Sequence, residues 1–514
     1  MSTLSDLSGL ESDSGAPGGG RDQRSPEPVR WLPLLSVCAV LVAVLLLLAG
    51  RYGYYMDELY FRVSGDHLDW GYADQPPLVA LLAKVQIAVF GDSVFALRVV
   101  PALLAGTTVL VTALISRELG GSHRAQLLTA AATAGSLASL AAGHVLHPTA
   151  VDHVVWLTAC WLVIRMIRTS DTRLWLGVGA VVGVGLLAKY LVLLLVLGLA
   201  AGLLVAGPRA LLRDWRLLAG VGVGVVLAAP TLLWQAVNGW PQFGMASELS
   251  SPFGVESVVN LVISSVLMIG PLLTPVWVIG LVALFRRPQW RQYRAFGVAY
   301  LLIFALLAVL GAQARYTEGL LTVFLAMGCV VAAEWASKLS RSALLGTAVV
   351  GNTVIAALLA LPVLPIGAYG EDGPLGGFGE PQVGQTGWQE LTTQIGAVYH
   401  ALPAQDQARA VIYGDNYAQA GAVDRYGPEI GLPAVYSGHN SYADFARPAD
   451  DKTVVIAFGV DRARFSALFG QCEARGKFTF ELPVLDRDKE ILVCRDPVQP
   501  WSQLWPRLRW LGTF

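Results

Sequence analysis

The stretch Val44-Leu45-Leu46-Leu47-Leu48-Ala49-Gly50-Arg51-Tyr52-Gly53-Tyr54-Tyr55-Met56-Asp57-Glu58 runs a hydrocarbon-like segment into a pair of carboxylates. The apolar run begins near Trp31 and is long enough to cross a bilayer. Two acids at its mouth are costly to desolvate and mark that membrane surface as a place for chemistry. The rest of the chain extends the pattern: 54% of its 514 residues are hydrophobic and 14% charged, with a mean hydropathy of +0.55. That composition excludes an ordinary soluble protein and describes a polytopic one. A net charge of -1 gives no global field for nucleic acid.

Apolar segments near 32–50, 95–116, 125–142, 150–168, 174–188, 190–206, 217–236, 257–284, 294–311, 318–337 and 342–362 predict about eleven transmembrane helices. The pair flanking Lys189 also reads as one long kinked helix. One set of connecting loops carries Arg117, Arg124, Arg165, Arg168, Arg173, Arg209, Arg213, Arg216, Arg286, Arg287, Arg291, Arg294, Lys338 and Arg341. The alternate set holds chiefly Arg51, Arg62, Lys84, Lys189 and Arg315. Basic loops stay in the cytoplasm. The N-terminus is therefore expected inside, and the Asp57 loop and the C-terminus outside the cytoplasmic membrane.

Residues 1–30, rich in Ser, Gly, Asp and Pro, are expected to be a disordered cytoplasmic tail. No small-residue cleavage site follows the late apolar run, so a cleaved secretion signal is not expected. Residues 31–365 form the membrane domain and the Gly- and Pro-rich 366–385 a linker. Residues 386–514 read as an extracytoplasmic α/β domain, with strands at 410–413 and 453–458 and amphipathic helices at 386–401 and 461–475. Cys38, Cys160 and Cys329 lie in apolar spans and read as small buried residues. Cys472 and Cys494 are either a disulfide, if their domain lies outside, or two unpaired thiols.

The polar residues of the outward loops are the candidate site. Tyr54, Tyr55, Asp57 and Glu58 open the first; Asp74 and Gln75 precede Pro76-Pro77. Asp66 and Asp69 read as solvation of a surface helix. The second outer loop gives His144, His147, Asp152 and His153. Asp152 also suits simple helix capping. The four offer donors for a divalent metal, yet their spacing matches no established ligand pattern, and none is assigned to one. Lys189-Tyr190, Gln235, Asn238 and Arg315-Tyr316 complete the set. Lys189 either snorkels or meets an anion. Carboxylate and cation together can move a group from a lipid phosphate to a hydroxyl: the acid takes a proton, and Lys or Arg neutralises the departing phosphate.

Asp57-Glu58, Gly71-Tyr72-Ala73-Asp74-Gln75-Pro76-Pro77-Leu78, Phe90-Gly91-Asp92-Ser93 with Arg98, and Gly185-Leu186-Leu187-Ala188-Lys189-Tyr190 carry a family resemblance. The chain resembles the bacterial membrane glycosyltransferases related to the protein O-mannosyltransferases and lipid A aminoarabinose transferases (type C glycosyltransferase fold, family 39-like). The segments Asn416–Pro428 and Tyr436–Tyr442 resemble the tail of an actinobacterial branch, with no activity implied for it. The resemblance implies a polyprenyl-phosphate-linked sugar donor and inversion at the anomeric carbon. The acceptor is a glycan, lipid or protein, and no cofactor is certain. It also implies catalytic roles for Asp57, Glu58 and Asp152, and donor-phosphate contacts from Lys189 and Arg315. Tyr54, Tyr55, Asp74, Gln75, His147, His153, Tyr190, Gln235, Asn238 and Tyr316 become candidate substrate contacts. Two departures stand out: Arg315-Tyr316 replaces a Lys-Pro-Tyr-Tyr-like run, and Gln75 replaces a lysine before the proline, which argues against lipid A as acceptor. The rival readings are a lipid or glycan transporter, which would place polar residues or broken helices at midplane, and a catalytically lapsed binding module.

Overall fold

The computed structural model describes residues 26–248, 254–311 and 314–513. Most of the expected tail and Ala312-Gln313 lie outside the described residues. Residues 26–30 are tied down: Glu27 accepts from the His123 amide at 2.9 Å.

The helices of the membrane part are α1 (Trp31–Leu48), α2 (Met56–Asp66), α3 (Leu78–Phe90), α4 (Val94–Glu118), α5 (His123–Ala134), α6 (Leu137–His144), α7 (Pro148–Thr169) and α8 (Leu174–Leu186). They continue with α9 (Val192–Ala206), α10 (Trp215–Val237), α11 (Pro241–Glu248), α12 (Val255–Ile269), α13 (Thr274–Arg286), α14 (Arg294–Val309), α15 (Glu318–Trp335) and α16 (Leu339–Ala360). Among the described residues, seven helical stretches are long and apolar enough to cross a membrane, or nine if each of two bent pairs is one crossing. The expected eleven is reached only by adding α8 and α9, which have 13 and 15 residues.

The bent pairs correct two expected continuous spans. Helices α5 and α6 meet at 55°, and α12 and α13 at 106°. The sharper break falls at Gly270-Pro271, where Gly270 has φ 111° and the proline has no amide to donate. Asn352 in α16 closes both breaks by donating to Gly135 O and Ile269 O, each at 3.0 Å. The mid-span polar residue thus supplies a partner for backbone carbonyls that a broken helix would strand in hydrocarbon. Elsewhere small residues bring helices together: a Cβ on Gly179 of α8 would lie 1.9 Å from Gly220 O of α10.

The C-terminal part is a five-stranded sheet, β1 (Ala410–Gly414), β2 (Val435–Tyr436), β3 (Val454–Phe458), β4 (Phe469–Lys477) and β5 (Glu490–Pro497), in the order β2-β1-β3-β5-β4. The first three are parallel; β5 runs antiparallel to β3 and β4. The expected helix over 461–475 is instead one short turn, Arg462–Ser466, followed by β4. Pairing with β5 overrides the local pattern there, and the paired strands are joined by a Cys472–Cys494 disulfide.

The expected linker is not loose. Its Gly- and Pro-rich chain makes short helical turns around buried Tyr369, Gln382, Val383 and Gln385. Tyr369 and Gln382 donate to Leu358 O and Leu359 O at the end of α16. Sheet domain and membrane part share one hydrophobic core, in which Leu59, Tyr60 and Val63 of α2 pack with Ile412, Ala418 and Ala422. Across the same junction Arg62 pairs with Asp92 at 2.8 Å and Asp424 at 2.6 Å.

At its centre is a fully buried ion pair. Arg98 of α4 contacts Glu58 of α2 through two nitrogens, at 3.0 and 2.8 Å. Its remaining donors reach Ala49 O, Gly53 O and Gln385 Oε1. Glu58 also accepts from the amides of Tyr55 (2.8 Å) and Leu146 (3.0 Å). One pair therefore ties α1, α2, α4, the loop before α7 and the sheet-domain connection. Arg98→Met leaves Glu58 buried without its partner and is expected to cost about 3–5 kcal/mol of stability. Thermal unfolding of the detergent-solubilised protein checks this; an unchanged midpoint would contradict the role given to the pair.

Candidate active site

Helix α2 starts at Asp57-Glu58 because acids in a first turn meet the positive end of the helix dipole. Successive helical residues point about 100° apart, so the two carboxylates face different surroundings. Glu58, read as catalytic from the sequence, is the buried partner of Arg98, with both oxygens already accepting hydrogen bonds. Its position suits holding the fold, not meeting a substrate.

Asp57 faces the site. Its Oδ1 accepts from the Tyr417 hydroxyl at 2.7 Å, and its Oδ2 lies 3.6 Å from His147 Nε2. Burial raises the Asp57 carboxyl above its usual range, opposed by the Tyr417 hydrogen bond and the charge of Arg315. His147 accepts the Thr149 amide on Nδ1 at 3.1 Å, which leaves the ring proton on Nε2, toward Asp57. Burial, with Arg315 and Lys189 nearby, holds the imidazole neutral far below its usual pKa.

The second acid, Asp152 in the first turns of α7, accepts from Trp156 Nε1 at 3.0 Å and is within electrostatic reach of Lys189. Lys189 sits in the break between α8 and α9, its ammonium 4.8 Å from the centre of the Tyr316 ring. Arg315 interacts electrostatically with Asp57, Lys189 and Glu318. Asp57, His147, Asp152, Lys189, Arg315 and Tyr316 are therefore gathered around one location, although they come from four separate segments. Glu318 joins them and was not singled out from the sequence, where it read as the start of a span.

Beside this cluster lies a cavity of about 340 Å³. Tyr55, His147, Arg315 and Glu318 form its polar end, while Leu137, Ala141, Leu267, Met268 and Leu359 line the apolar remainder. The apolar wall comes from α6 and α12, one helix of each bent pair, and from the end of α16.

Other candidates lie outside this charged cluster, although His144 lines the cavity. Tyr54 is buried at the sheet-domain junction, 3.3 Å from Asp92. His153 is packed in the core against Thr322, and His144 contacts Arg98 at 3.2 Å. Among the described residues no group of three or more His, Cys, Asp or Glu is placed to hold a metal ion. Asp74 accepts from Tyr60 at 2.7 Å, and burial pushes its carboxyl up to about 6. Gln75 and Gln235 are buried, each with one side-chain atom left unbonded; Gln235 Nε2 reaches Tyr72 O. Tyr190 bonds Thr231 at 3.0 Å. Asn238 lines a different cleft, beside Trp234 and Asp69.

Tyr417 also joins the candidate site, and sequence reasoning missed it. The Asn416–Pro428 segment was singled out, but nothing local shows that a residue 360 positions away reaches Asp57. Tyr417 is held by stacking on Tyr60 (4.5 Å) and His439 (4.7 Å), and His439 stacks on Trp510.

A family model described as dolichyl-phosphate-mannose-protein mannosyltransferase matches residues 74–234. Lipopolysaccharide core galacturonosyltransferase RgtA of Rhizobium johnstonii is 25% identical over 221 residues, 42% of this chain and 44% of that protein. The match thus spans less than half of that relative's length. ArnT from Cupriavidus metallidurans, solved bound to undecaprenyl phosphate, superposes with a TM-score of 0.58 at 15% identity, over 90% of this chain and 97% of that one. Arabinofuranosyltransferase AftD from Mycobacteria gives 0.53 at 14% identity, over 92% of this chain and 40% of that one. The chain is thus similar to that mannosyltransferase family over residues 74–234 and shares the overall fold of ArnT.

The Tyr417 hydroxyl stabilises the ionised form of Asp57, so Tyr417→Phe is expected to raise the Asp57 pKa. Carbodiimides label protonated carboxyls. Labelling of Asp57, followed by mass spectrometry across pH, should then persist to higher pH in the variant. A midpoint that stays put or falls contradicts the assignment.

Proposed function

We propose that the chain is an inverting glycosyltransferase, using a polyprenyl-phosphate-linked sugar and an acceptor hydroxyl at the outer face of the cytoplasmic membrane. The observation that carries this reading is the cavity with apolar walls ending at Arg315 and His147, beside Asp57. A prenyl chain matches the walls of α6 and α12, and a phosphate matches the Arg315 end, where Lys189 is within electrostatic reach of Arg315. Binding of undecaprenyl phosphate by ArnT, which shares the fold, supports the same donor class here.

In this mechanism the acceptor oxygen attacks the anomeric carbon while its proton passes to Asp57 Oδ2, the oxygen not taken by Tyr417. The bond from that carbon to the phosphate oxygen breaks, and Arg315 and Lys189 offset the charge appearing on the phosphate. The raised pKa makes Asp57 a stronger base than an exposed carboxylate. Asp152 holds Lys189 by charge. Orientation with the sheet domain outside follows from the basic loops, and a disulfide between Cys472 and Cys494 suits an oxidising compartment. The acceptor class, glycan, lipid or protein, is left open by this chemistry.

The two broken helices are the one observation that favours a transporter. Here, however, their breaks are closed by Asn352, and the charged cluster gathers at helix ends next to the sheet domain. That arrangement favours surface chemistry over passage.

Asp57→Asn is expected to lower sugar transfer about 10²–10⁴-fold, as loss of a general base does, while the protein still binds polyprenyl phosphate. Near-normal turnover would remove Asp57 from the mechanism. Lys189→Ala and Arg315→Ala should each weaken binding of a short-chain polyprenyl phosphate by about tenfold or more; unchanged affinity in both rejects the phosphate site.

A further inference from the structure

The sheet domain holds a second cavity that the reaction leaves unused. Chain order places β2 on one side of β1 and β3 on the other, all three parallel. The connections therefore diverge at the carboxyl ends of β1 and β3, the place where open α/β sheets leave a crevice for ligands. Asp415 follows β1 there, and Val460-Asp461 follow β3. The crevice is real: a cavity of about 280 Å³ lined by Tyr413, Asp415, Asp461, Arg464, Phe465 and Trp510 among others.

Its polar groups are set out for a ligand. The backbone of Asp415 is fully engaged: its amide meets Phe458 O, and its carbonyl accepts from Trp510 and Ser437. Its half-buried carboxylate, by contrast, has no hydrogen-bond partner among the described residues. The Arg464 guanidinium is within electrostatic reach of that carboxylate, yet the two form no ion pair. An acceptor and a donor thus stand apart across an aromatic-walled hollow, with room between them.

We propose that this crevice is a binding site for a neutral sugar ring. Adjacent hydroxyls both donate and accept, matching Asp415 and Arg464 at once. The C–H face of a sugar suits the aromatic wall of Trp510, Tyr413 and Phe465. Around the crevice the acids Asp415, Asp461 and Asp486 outnumber the cations Lys489 and Arg464, which disfavours a phosphate or other anion. A divalent cation is disfavoured by Arg464 and by the lack of a third ligating group. The site is also wired to the membrane part. Trp510 stacks on His439, His439 on Tyr417, and the Tyr417 hydroxyl holds Asp57. A sugar held against Trp510 would so be presented on the side of the protein where Asp57 lies.

This proposal does not require the transferase reading. Saturation-transfer NMR and calorimetry on the purified full chain, with methyl glycosides of mannose, glucose, galactose and arabinose, test it. At least one glycoside is expected to bind. Asp415→Ala and Arg464→Ala should each weaken that affinity about tenfold or more, whereas Asp57→Asn should leave it unchanged. Absence of binding by all four overturns the site, as does equal affinity in the Asp415 and Arg464 variants. Binding lost in Asp57→Asn but kept in Asp415→Ala would put the sugar in the membrane cavity instead, ending this proposal while leaving the transferase reading intact.

Discussion

The contact between Glu58 and Arg98 organises the molecule. Each side chain is almost wholly shielded from solvent, and each satisfies the other's charge while also bonding backbone from separate elements. A buried carboxylate or guanidinium without such partners would be too costly to hold ionised. The pair therefore fixes where α2 lies relative to α1, α4 and the loop before α7. Because its neighbour in sequence is anchored, Asp57 is presented at a defined angle to His147 and Tyr417.

That anchoring makes one unit of what composition divides into two domains. Arg98 also grips Gln385, Arg62 bridges Asp92 and Asp424, and Ala73 donates to Ser441. A close approach at Gly421 seals the seam: a Cβ there would meet Leu59 at 2.9 Å. The site draws its acid from the membrane part and the hydroxyl that orients it from the sheet domain. The membrane part alone would leave Asp57 without its short hydrogen bond.

The cavity depends on interruption rather than regularity. Continuous helices over 125–142 and 257–284 would fill the space where the apolar wall now opens. Gly270-Pro271 and Gly135-Ser136 break them, and Asn352 supplies the partners that make both breaks tolerable in hydrocarbon. One polar residue thus supports the geometry from which the apolar-walled hollow follows.

The amino-acid sequence by itself determined the membrane class, most span positions, the strands β1 and β3, and the grouping of Asp57, His147, Asp152, Lys189 and Arg315 on one side. Those features come from local hydropathy and from charge sorted by loop, which need no partner to be read. The breaks were written in Gly270-Pro271 as well, though a long apolar run masked them. Only the tertiary structure decided that Glu58 is buried against Arg98 while Asp57 turns toward His147 and Tyr417, since adjacent residues on a helix differ by direction alone. Only packing against β5 made 469–477 a strand, and only the folded seam between the domains brought Tyr417 to Asp57. Long-range contacts of that kind leave no periodic trace along a chain.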